Sequence, residues 1–299
     1  METRLSIYSN ISYHGDDFYL VKHIYESLLV VVCDGVTESL SGRVASNLIT
    51  ECISTYTESH FIQINQSPLQ ATLNIIEYIK REFATLHDFI SLYNHNNSLE
   101  ENELNNQLAG TFNKYLDRFK LTQKEFLQIL QYSNETSTFS STVNFLILTK
   151  IQSHDYWKML SFTLGDGYFL QTRFNEDNWE FRDLAFNRTT DDKTHQFSST
   201  NGIYGNFELK ESYLLNGDII TLGTDGTKIR NLEYQKPKYQ HEPFREFSAF
   251  LKDNIDNFEH TSELWYNNVL TKVGLDDDFT LVSILLGDHL SLSKNLESV

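Results

Sequence analysis

Cysteine and proline are scarce in this chain of 299 residues. The two cysteines, Cys33 and Cys52, are too few for a disulfide framework or a cysteine-bound zinc site. Only three prolines and 13 glycines are present, and they form no Pro/Gly/Ser-rich linker. Since no internal repeat is evident either, we predict a single domain over residues 1–299.

Positive charge is also scarce, because 24 basic residues stand against 41 acidic ones and leave a net charge of −17. Such an acidic chain is a poor candidate for binding nucleic acid or an anionic membrane. No apolar run approaches the roughly 18 residues that a membrane helix needs. Residues 1–5 lack the basic start of a signal peptide. We therefore expect a soluble, cytoplasmic protein with neither nucleic acid nor a membrane as partner.

Acidic residues at the ends of apolar runs are the most informative feature that is present. They lie in four segments: Asp16-Asp17, Asp34-Gly35, Asp225-Gly226 and Asp276-Asp277-Asp278. Each alone is more typical of a turn, since Asp-Gly is a common turn dipeptide. Strand ends, however, occupy defined places, and carboxylates crowded together repel unless a hard cation lies between them. The ordered set therefore predicts a divalent-metal site.

Hydrophobic periodicity predicts an α+β chain. Strands are predicted at 4–9, 17–23, 28–33, 142–149, 157–164, 167–173, 177–183, 207–214, 218–224 and 279–286. Helices are predicted up to about residue 59, from Ser67-Pro68, from a capping box at Thr122 to about Tyr132, and near 244–256 and 261–272. Residues 94–106 are interpreted as a polar loop with a helical restart near Glu100. The strands are close in sequence, which favours antiparallel sheets with helices outside them.

In their order, the motifs resemble those of the metal-dependent protein phosphatases, the protein phosphatase 2C group. The motifs that carry this resemblance are Asp16-Asp17, Asp34-Gly35, Gly42-Arg43-Val44-Ala45-Ser46, Ser140-Ser141-Thr142, Gly165-Asp166-Gly167, Thr224-Asp225-Gly226 and Asp277-Asp278-Phe279-Thr280. They span residues 12–286. The resemblance implies a four-layer αββα sandwich, with two antiparallel sheets flanked by helices and an enlarged helical region at 60–135.

The resemblance also implies an activity and its metals. Members of the family hydrolyse phosphoserine and phosphothreonine in proteins with two Mn²⁺ or Mg²⁺ ions, and some bind a third. The paired ions hold and acidify a water that attacks phosphorus, so no cysteine or serine nucleophile is needed. All-oxygen ligands suit these two metals rather than zinc.

Carried over residue by residue, the resemblance implies a metal site built from Asp16, Asp34, Gly35, Asp166, Asp225 and Asp277. Asp34 would bridge both ions and Asp17 would order the water beside them, which makes these two the catalytic candidates. Asp225 and Asp277 correspond to ligands of the first ion, and Asp166 to a ligand of a weaker third. The remaining acid, Asp16, corresponds to the ligand of the second ion, and Gly35 contributes its carbonyl.

The chain departs from the family where the family grips substrate. Ser12 stands where an arginine commonly binds the phosphate, and His14 is the nearest side chain that could substitute for it. Gly167 replaces the serine of the family's Gly-Asp-Ser motif, and Tyr168 replaces an arginine. These changes favour altered substrate choice. They leave two alternatives open: a pseudophosphatase acting as a regulatory binding module, and a hydrolase of small phosphorylated molecules.

Two further segments bear on substrates and partners. Residues 60–135 are interpreted as two long helices packed over one sheet, or as an insertion that docks a protein partner or gates the substrate. Residues 187–206 are polar and resemble the flap beside the family's active site.

Overall fold

A computed structural model describes residues 3–10, 16–35, 40–96, 104–132, 139–151, 156–165, 167–175, 178–184, 196–199, 202–224, 250–251, 253–270 and 279–287. The strands in chain order are β1 (Thr3–Asn10), β2 (Phe18–Ile24), β3 (Ser27–Gly35), β4 (Ser140–Lys150), β5 (Tyr156–Leu164), β6 (Tyr168–Asn175), β7 (Asn178–Asp183), β8 (Gln196–Ser198), β9 (Gly202–Tyr204), β10 (Glu208–Leu215), β11 (Ile219–Gly223) and β12 (Phe279–Leu286). The helices are α1 (Leu40–Ser59), α2 (Phe61–Gln66), α3 (Pro68–Asn96), α4 (Leu104–Phe119), α5 (Gln123–Tyr132) and α6 (Thr261–Trp265).

The strands form two antiparallel sheets. The first sheet has the order β1-β12-β11-β6-β7, and the second has the order β10-β5-β4-β3-β2 with the short pair β8–β9 attached to β4. Each pairing along both sheets is antiparallel, as the short sequence separations predicted.

Strand β3 shows why the two sheets pack face to face. Side chains alternate along a strand, so Leu28 and Val30 face the first sheet while Leu29 and Val31 pack beneath the helices. All four are fully buried. The continuous apolar run of this strand thus reflects burial of both its faces, as predicted.

Helices cover the outer face of each sheet. Helix α1 packs on β3 and β4, and α3 packs on α1. On the other side, Phe258 and Trp265 cover the first sheet together with Leu251. The four-layer αββα arrangement predicted from the resemblance is therefore confirmed. Within the described residues, no helix combines the length and the hydropathy that crossing a bilayer requires.

The enlarged helical region after α1 has an aromatic interior. Phe89 lies 5.0 Å from Tyr115 and Phe112 lies 5.1 Å from Phe126, between ring centroids, so α3, α4 and α5 are joined through their buried faces. The predicted capping box opens α5, since Thr122 N donates to Glu125 Oε2 at 2.7 Å. Within the described part of residues 60–135, the longest helices are α3, with 29 residues, and α4, with 16. Whether this region serves only as a packed layer or also docks a partner stays a prediction.

Two local predictions differ from the structure. The polar segment 187–206 contains the short strands β8 and β9, which were missed because three residues show no period. In the predicted helix near 244–256, the described residues Phe250, Leu251 and Asp253 are helical as predicted. The chain then continues as a 3₁₀ helix (Ile255–His260), the short α6 and a π-helical turn (Tyr266–Leu270), rather than as one regular helix over 261–272. The backbone of Asn257, at φ −113° and ψ 37°, breaks the regular α-helix there. Glu100, the predicted restart, lies outside the described residues, and α4 begins at Leu104.

An ion pair between the buried Asp218 and the partly exposed Arg173 holds the turn before β11. Asp218, only 1% exposed, accepts two hydrogen bonds from Arg173, at 2.7 and 2.6 Å, and one from Gln171 Nε2 at 2.9 Å. Its carboxylate also accepts from the backbone N–H of Leu215 at 2.9 Å. These bonds join β6 to the turn and raise the pKa of Arg173.

Replacing Asp218 with asparagine is expected to lower the free energy of unfolding by about 2–3 kcal/mol, because Arg173 loses its counter-charge and an amide N–H faces the other donors. Urea unfolding of both proteins measures this difference. The exposed Asp253→Asn change is the matched control, with an expected effect within about 0.5 kcal/mol. Equal stability of the two variants would contradict a structural role for the pair.

Candidate metal centre

Because side chains alternate along each strand, polar groups lie at one end of the core between the two sheets. The inner face of β3 ends at Asp34, that of β11 continues to Thr224, and that of β12 begins with Thr280. Elsewhere the same faces are apolar and fully buried. The two sheets therefore form a dry core that opens, at this end, onto carboxyl and hydroxyl groups.

Asp16, Asp17 and Asp34 lie together at this end. One carboxylate oxygen from each lies within 4.8 Å of the other two. The register explains the meeting, because Phe18 at the start of β2 pairs with Cys33 near the end of β3. Asp16 is 6% exposed and Asp17 is 2% exposed, whereas Asp34 is half-buried.

The chemistry of this cluster fits a hard divalent cation. Three carboxylates at this separation repel one another, and two of them have lost most of their hydration. A magnesium or manganese ion offsets both costs, since it binds carboxylate and carbonyl oxygens. The carbonyl of Gly35 follows directly in the chain. The three described acids and this residue are thus suited to hold such an ion.

Gly35 is held at a point where no side chain fits. A Cβ atom at this position would lie 2.5 Å from Asp16 Cβ and 2.6 Å from the carbonyl carbon of Gly42. The end of β3 therefore touches both the acidic pair and the first turn of α1. This close approach gives a physical reason for glycine after Asp34 that is independent of any turn.

Two hydroxyl groups tie the acids to their surroundings. Thr224 Oγ1 donates to Asp17 Oδ2 at 2.8 Å. Ser141 Oγ lies within donating distance of the backbone carbonyls of Asp34, at 2.9 Å, and Thr142, at 2.8 Å, and lies 3.1 Å from Ser46 Oγ. The sequence contained these hydroxyl residues in its motifs, but it gave no sign of which acid each one contacts. The only signal in the sequence was the alternation of side chains along each strand, which indicates which residues point into the space between the sheets.

Cys33, beside the acidic cluster, has no nucleophilic role in this arrangement. The thiol is fully buried and accepts a hydrogen bond from Thr50 Oγ1 at 3.3 Å. Burial raises the pKa of Cys33 to about 12, so the thiol stays protonated. The prediction of a buried, unreactive cysteine agrees with this environment.

Several predicted site residues lie outside the described part of the chain: Ser12, His14, Asp166, Asp225 and Asp277. Their roles stay predictions. The structure does describe residues next to three of them. Thr224 ends the segment before Asp225, Phe279 begins the strand after Asp277, and Gly165 and Gly167 flank Asp166.

Gly167, which stands where the family has a serine, faces a buried asparagine. A Cβ atom on Gly167 would lie 2.5 Å from Asn144 Nδ2 and 2.9 Å from the carbonyl oxygen of Gly223. Asn144, on β4, is buried at the polar end of the inter-sheet space. The amide of Asn144 thus occupies the space that a side chain at position 167 would need.

Comparison with known proteins identifies the fold. No protein-family model and no curated protein matches the chain. A serine/threonine phosphatase from S. agalactiae matches with a TM-score of 0.53 and 12% identity, over 95% of this chain and 100% of that chain. The catalytic domain of the serine/threonine phosphatase PstP, in complex with two manganese ions, matches with a TM-score of 0.50 and 13% identity, over 96% and 99%.

A third match is to a domain named as a PP2C phosphatase domain. The PP2C phosphatase domain of SpoIIE from Bacillus subtilis, with a fragment of its regulatory domain, matches with a TM-score of 0.51 and 14% identity, over 96% of this chain and 64% of that chain. At these identities the likeness concerns the fold. The chain has the fold of the PP2C-type phosphatases at a low sequence identity, as the ordered motifs predicted.

Proposed function

We propose that this chain is a metal-dependent phosphatase that hydrolyses phosphoserine or phosphothreonine in proteins. The observation that supports this most directly is the cluster of Asp16, Asp17 and Asp34 at one end of a PP2C-type sandwich. Two buried carboxylates with a third beside them are costly to fold unless a cation joins them. A fold that keeps such a cluster gains from the metal that it binds.

Asp34 and Asp16 would hold the ions with the carbonyl of Gly35. Asp225 and Asp277 would complete the first ion's ligands and Asp166 would hold a third. Two manganese ions are present in the PstP catalytic domain, which supports Mn²⁺ or Mg²⁺ here. When bound, such ions activate a water and offset the charge that develops on the phosphoryl group.

The chain's own residues would orient the reactants. The hydrogen bond from the Thr224 hydroxyl restricts rotation of the Asp17 carboxylate. Held in this way, the carboxylate would be placed to accept a hydrogen bond from the attacking water. Ser141 contacts the backbone carbonyl of Asp34, which would hold in place the residue whose carboxylate binds the metal. The apolar core beneath these groups keeps bulk water from approaching them through the sandwich.

A regulatory protein without turnover is the second candidate. The sequence observation that favours it is Ser12 at the position where the family binds phosphate with arginine. Such a pseudophosphatase would keep the metal cluster and act through a docked partner. Exposed apolar side chains of the 60–135 region, Ile62, Leu69 and Leu73, are where we propose that a partner protein docks.

Hydrolysis assays with a phosphothreonine peptide and with p-nitrophenyl phosphate distinguish these functions. We expect turnover of both with Mn²⁺ or Mg²⁺ and none with EDTA. Turnover of the small ester alone would instead indicate a hydrolase of small phosphorylated molecules. Metal binding without turnover of either substrate, in well-folded protein, would contradict the enzyme and favour the regulatory module.

A further inference from the structure

The hydroxyl group of Thr224 occupies a defined place between the two sheets. Thr224 follows the last residue of β11 and is 1% exposed. Its Oγ1 accepts the backbone N–H of Thr280 at 3.0 Å and lies 2.8 Å from Asp17 Oδ2. Its own N–H donates to the carbonyl of Thr280 at 3.0 Å. Thr224 is therefore locked to β12 by its backbone and by its side chain.

These contacts fix the direction in which the hydroxyl points its proton. Since Oγ1 accepts from an N–H group, its single proton is left for the carboxylate of Asp17. An ionised carboxylate is acceptor-only, so the pair is a charge-assisted bond of fixed polarity. The bond holds one oxygen of Asp17 in place and restricts rotation of the carboxylate.

The same bond connects the two sheets at the candidate metal centre. Asp17 precedes β2 of the second sheet, whereas Thr224 directly follows β11 of the first sheet and Thr280 lies in its β12. Beyond this polar end, the described inner faces pack mainly through apolar side chains, and such packing has no preferred direction. The next residue after Thr224 is Asp225, and Asp277 comes three residues before Thr280. The hydroxyl thus fixes Asp17 relative to the strand ends next to the other predicted ligands.

We propose that Thr224 is a positioning residue that holds the carboxylate of Asp17 in place beside Asp16 and Asp34, so that the acidic cluster keeps the arrangement that metal binding needs. This inference rests on the metal site of the proposed function and extends it to a residue that contacts no ion itself. Outer-shell hydrogen bonds of this kind typically change metal affinity or activity by about 10–100-fold.

The test compares Thr224→Val, which removes the hydroxyl and keeps the shape, with Thr224→Ser, which keeps the hydroxyl. Calorimetric titration of the metal-free proteins with Mn²⁺ is expected to show a dissociation constant at least about tenfold higher for the valine variant. The serine variant is expected to remain within about threefold of the wild type. At saturating Mn²⁺, the valine variant should lose kcat on p-nitrophenyl phosphate while KM changes little.

Thr221→Val is the matched control. Thr221 lies on β11, three residues before Thr224, and is equally buried. Its Oγ1 lies 3.0 Å from Ser283 Oγ, away from the acidic cluster. This variant loses one buried hydroxyl bond between the same two strands, and its Mn²⁺ affinity is expected to equal that of the wild type. If Thr224→Val does not fold, Thr224→Ala removes the same hydroxyl, with the same expected loss of affinity.

Unchanged Mn²⁺ affinity in Thr224→Val, an equal loss in Thr221→Val, or no recovery in Thr224→Ser would overturn the positioning role. A wild type that binds no Mn²⁺ would overturn the proposed metal site and this role with it. A wild type that binds Mn²⁺ but hydrolyses nothing, with binding still weakened in Thr224→Val, would overturn only the proposed activity.

Discussion

Replacing Asp34 with asparagine is expected to lower turnover by about 10³-fold, which corresponds to roughly 4 kcal/mol of transition-state stabilisation. Asparagine has the shape of aspartate, and the backbone carbonyl of Asp34 still accepts from Ser141. The fold should therefore persist while the central negative ligand is lost. Initial rates on a phosphothreonine peptide, measured over a range of Mn²⁺ concentrations, give the comparison.

When metal is absent, the Asp34→Asn change is not expected to lower the stability of the fold. Without an ion, Asp34 adds a third like charge to Asp16 and Asp17, so its neutralisation should leave the Tm unchanged or higher. With Mn²⁺, the wild type should gain more in Tm than the variant, since ligands stabilise the state that binds them.

The exposed Asp88→Asn change on α3 removes one charge far from this cluster in sequence and is the control. Full turnover by Asp34→Asn would contradict the site. Equal Mn²⁺-induced shifts in Tm for the wild type and Asp34→Asn would contradict it independently of any activity.

Replacing Gly35 with alanine is expected to lower turnover by about 10²-fold and the free energy of unfolding by about 1–3 kcal/mol. The added methyl group meets the Cβ of Asp16 and the backbone of Gly42, neither of which can rotate away. The acidic pair must move relative to Asp34, and the carboxylates would no longer converge. Urea unfolding and peptide hydrolysis measure the two effects separately.

Gly110→Ala is the matched control for this substitution. Gly110 lies within α4, and a Cβ atom there would meet nothing within 4 Å. Alanine at this exposed helical position is expected to raise the free energy of unfolding by about 0.5–1 kcal/mol and to leave turnover unchanged. If Gly35→Ala behaved like Gly110→Ala, the close packing around Asp34 would be unimportant for the site.

Much of the architecture could be predicted because buried side chains recur in the sequence with the period of a strand or a helix. The apolar run of β3 predicted a strand covered on both faces, and the polar end of that run predicted where the carboxylates gather. The convergence of Asp16-Asp17 with Asp34 follows from antiparallel pairing of neighbouring strands, which is a local relation. Such features depend on few residues that are close in sequence.

Other features depend on contacts between distant elements and could not be predicted. The bond between Thr224 and Asp17 joins residues 207 positions apart and requires that the two sheets pack with one particular offset. The absence of a side chain at Gly167 is explained by Asn144 on β4 and by the carbonyl oxygen of Gly223 on β11. Short strands such as β8 and β9 contain too few residues to show a period.

Titration of the metal-free protein with Mn²⁺ in a calorimeter tests the central claim most directly. We expect saturable binding of about two ions, with markedly weaker binding to Asp34→Asn and unchanged binding to Asp88→Asn. Folded wild-type protein that bound no Mn²⁺ at millimolar concentration, or an Asp34→Asn variant that bound it as tightly as the wild type, would contradict a metal-dependent phosphatase built on these acids.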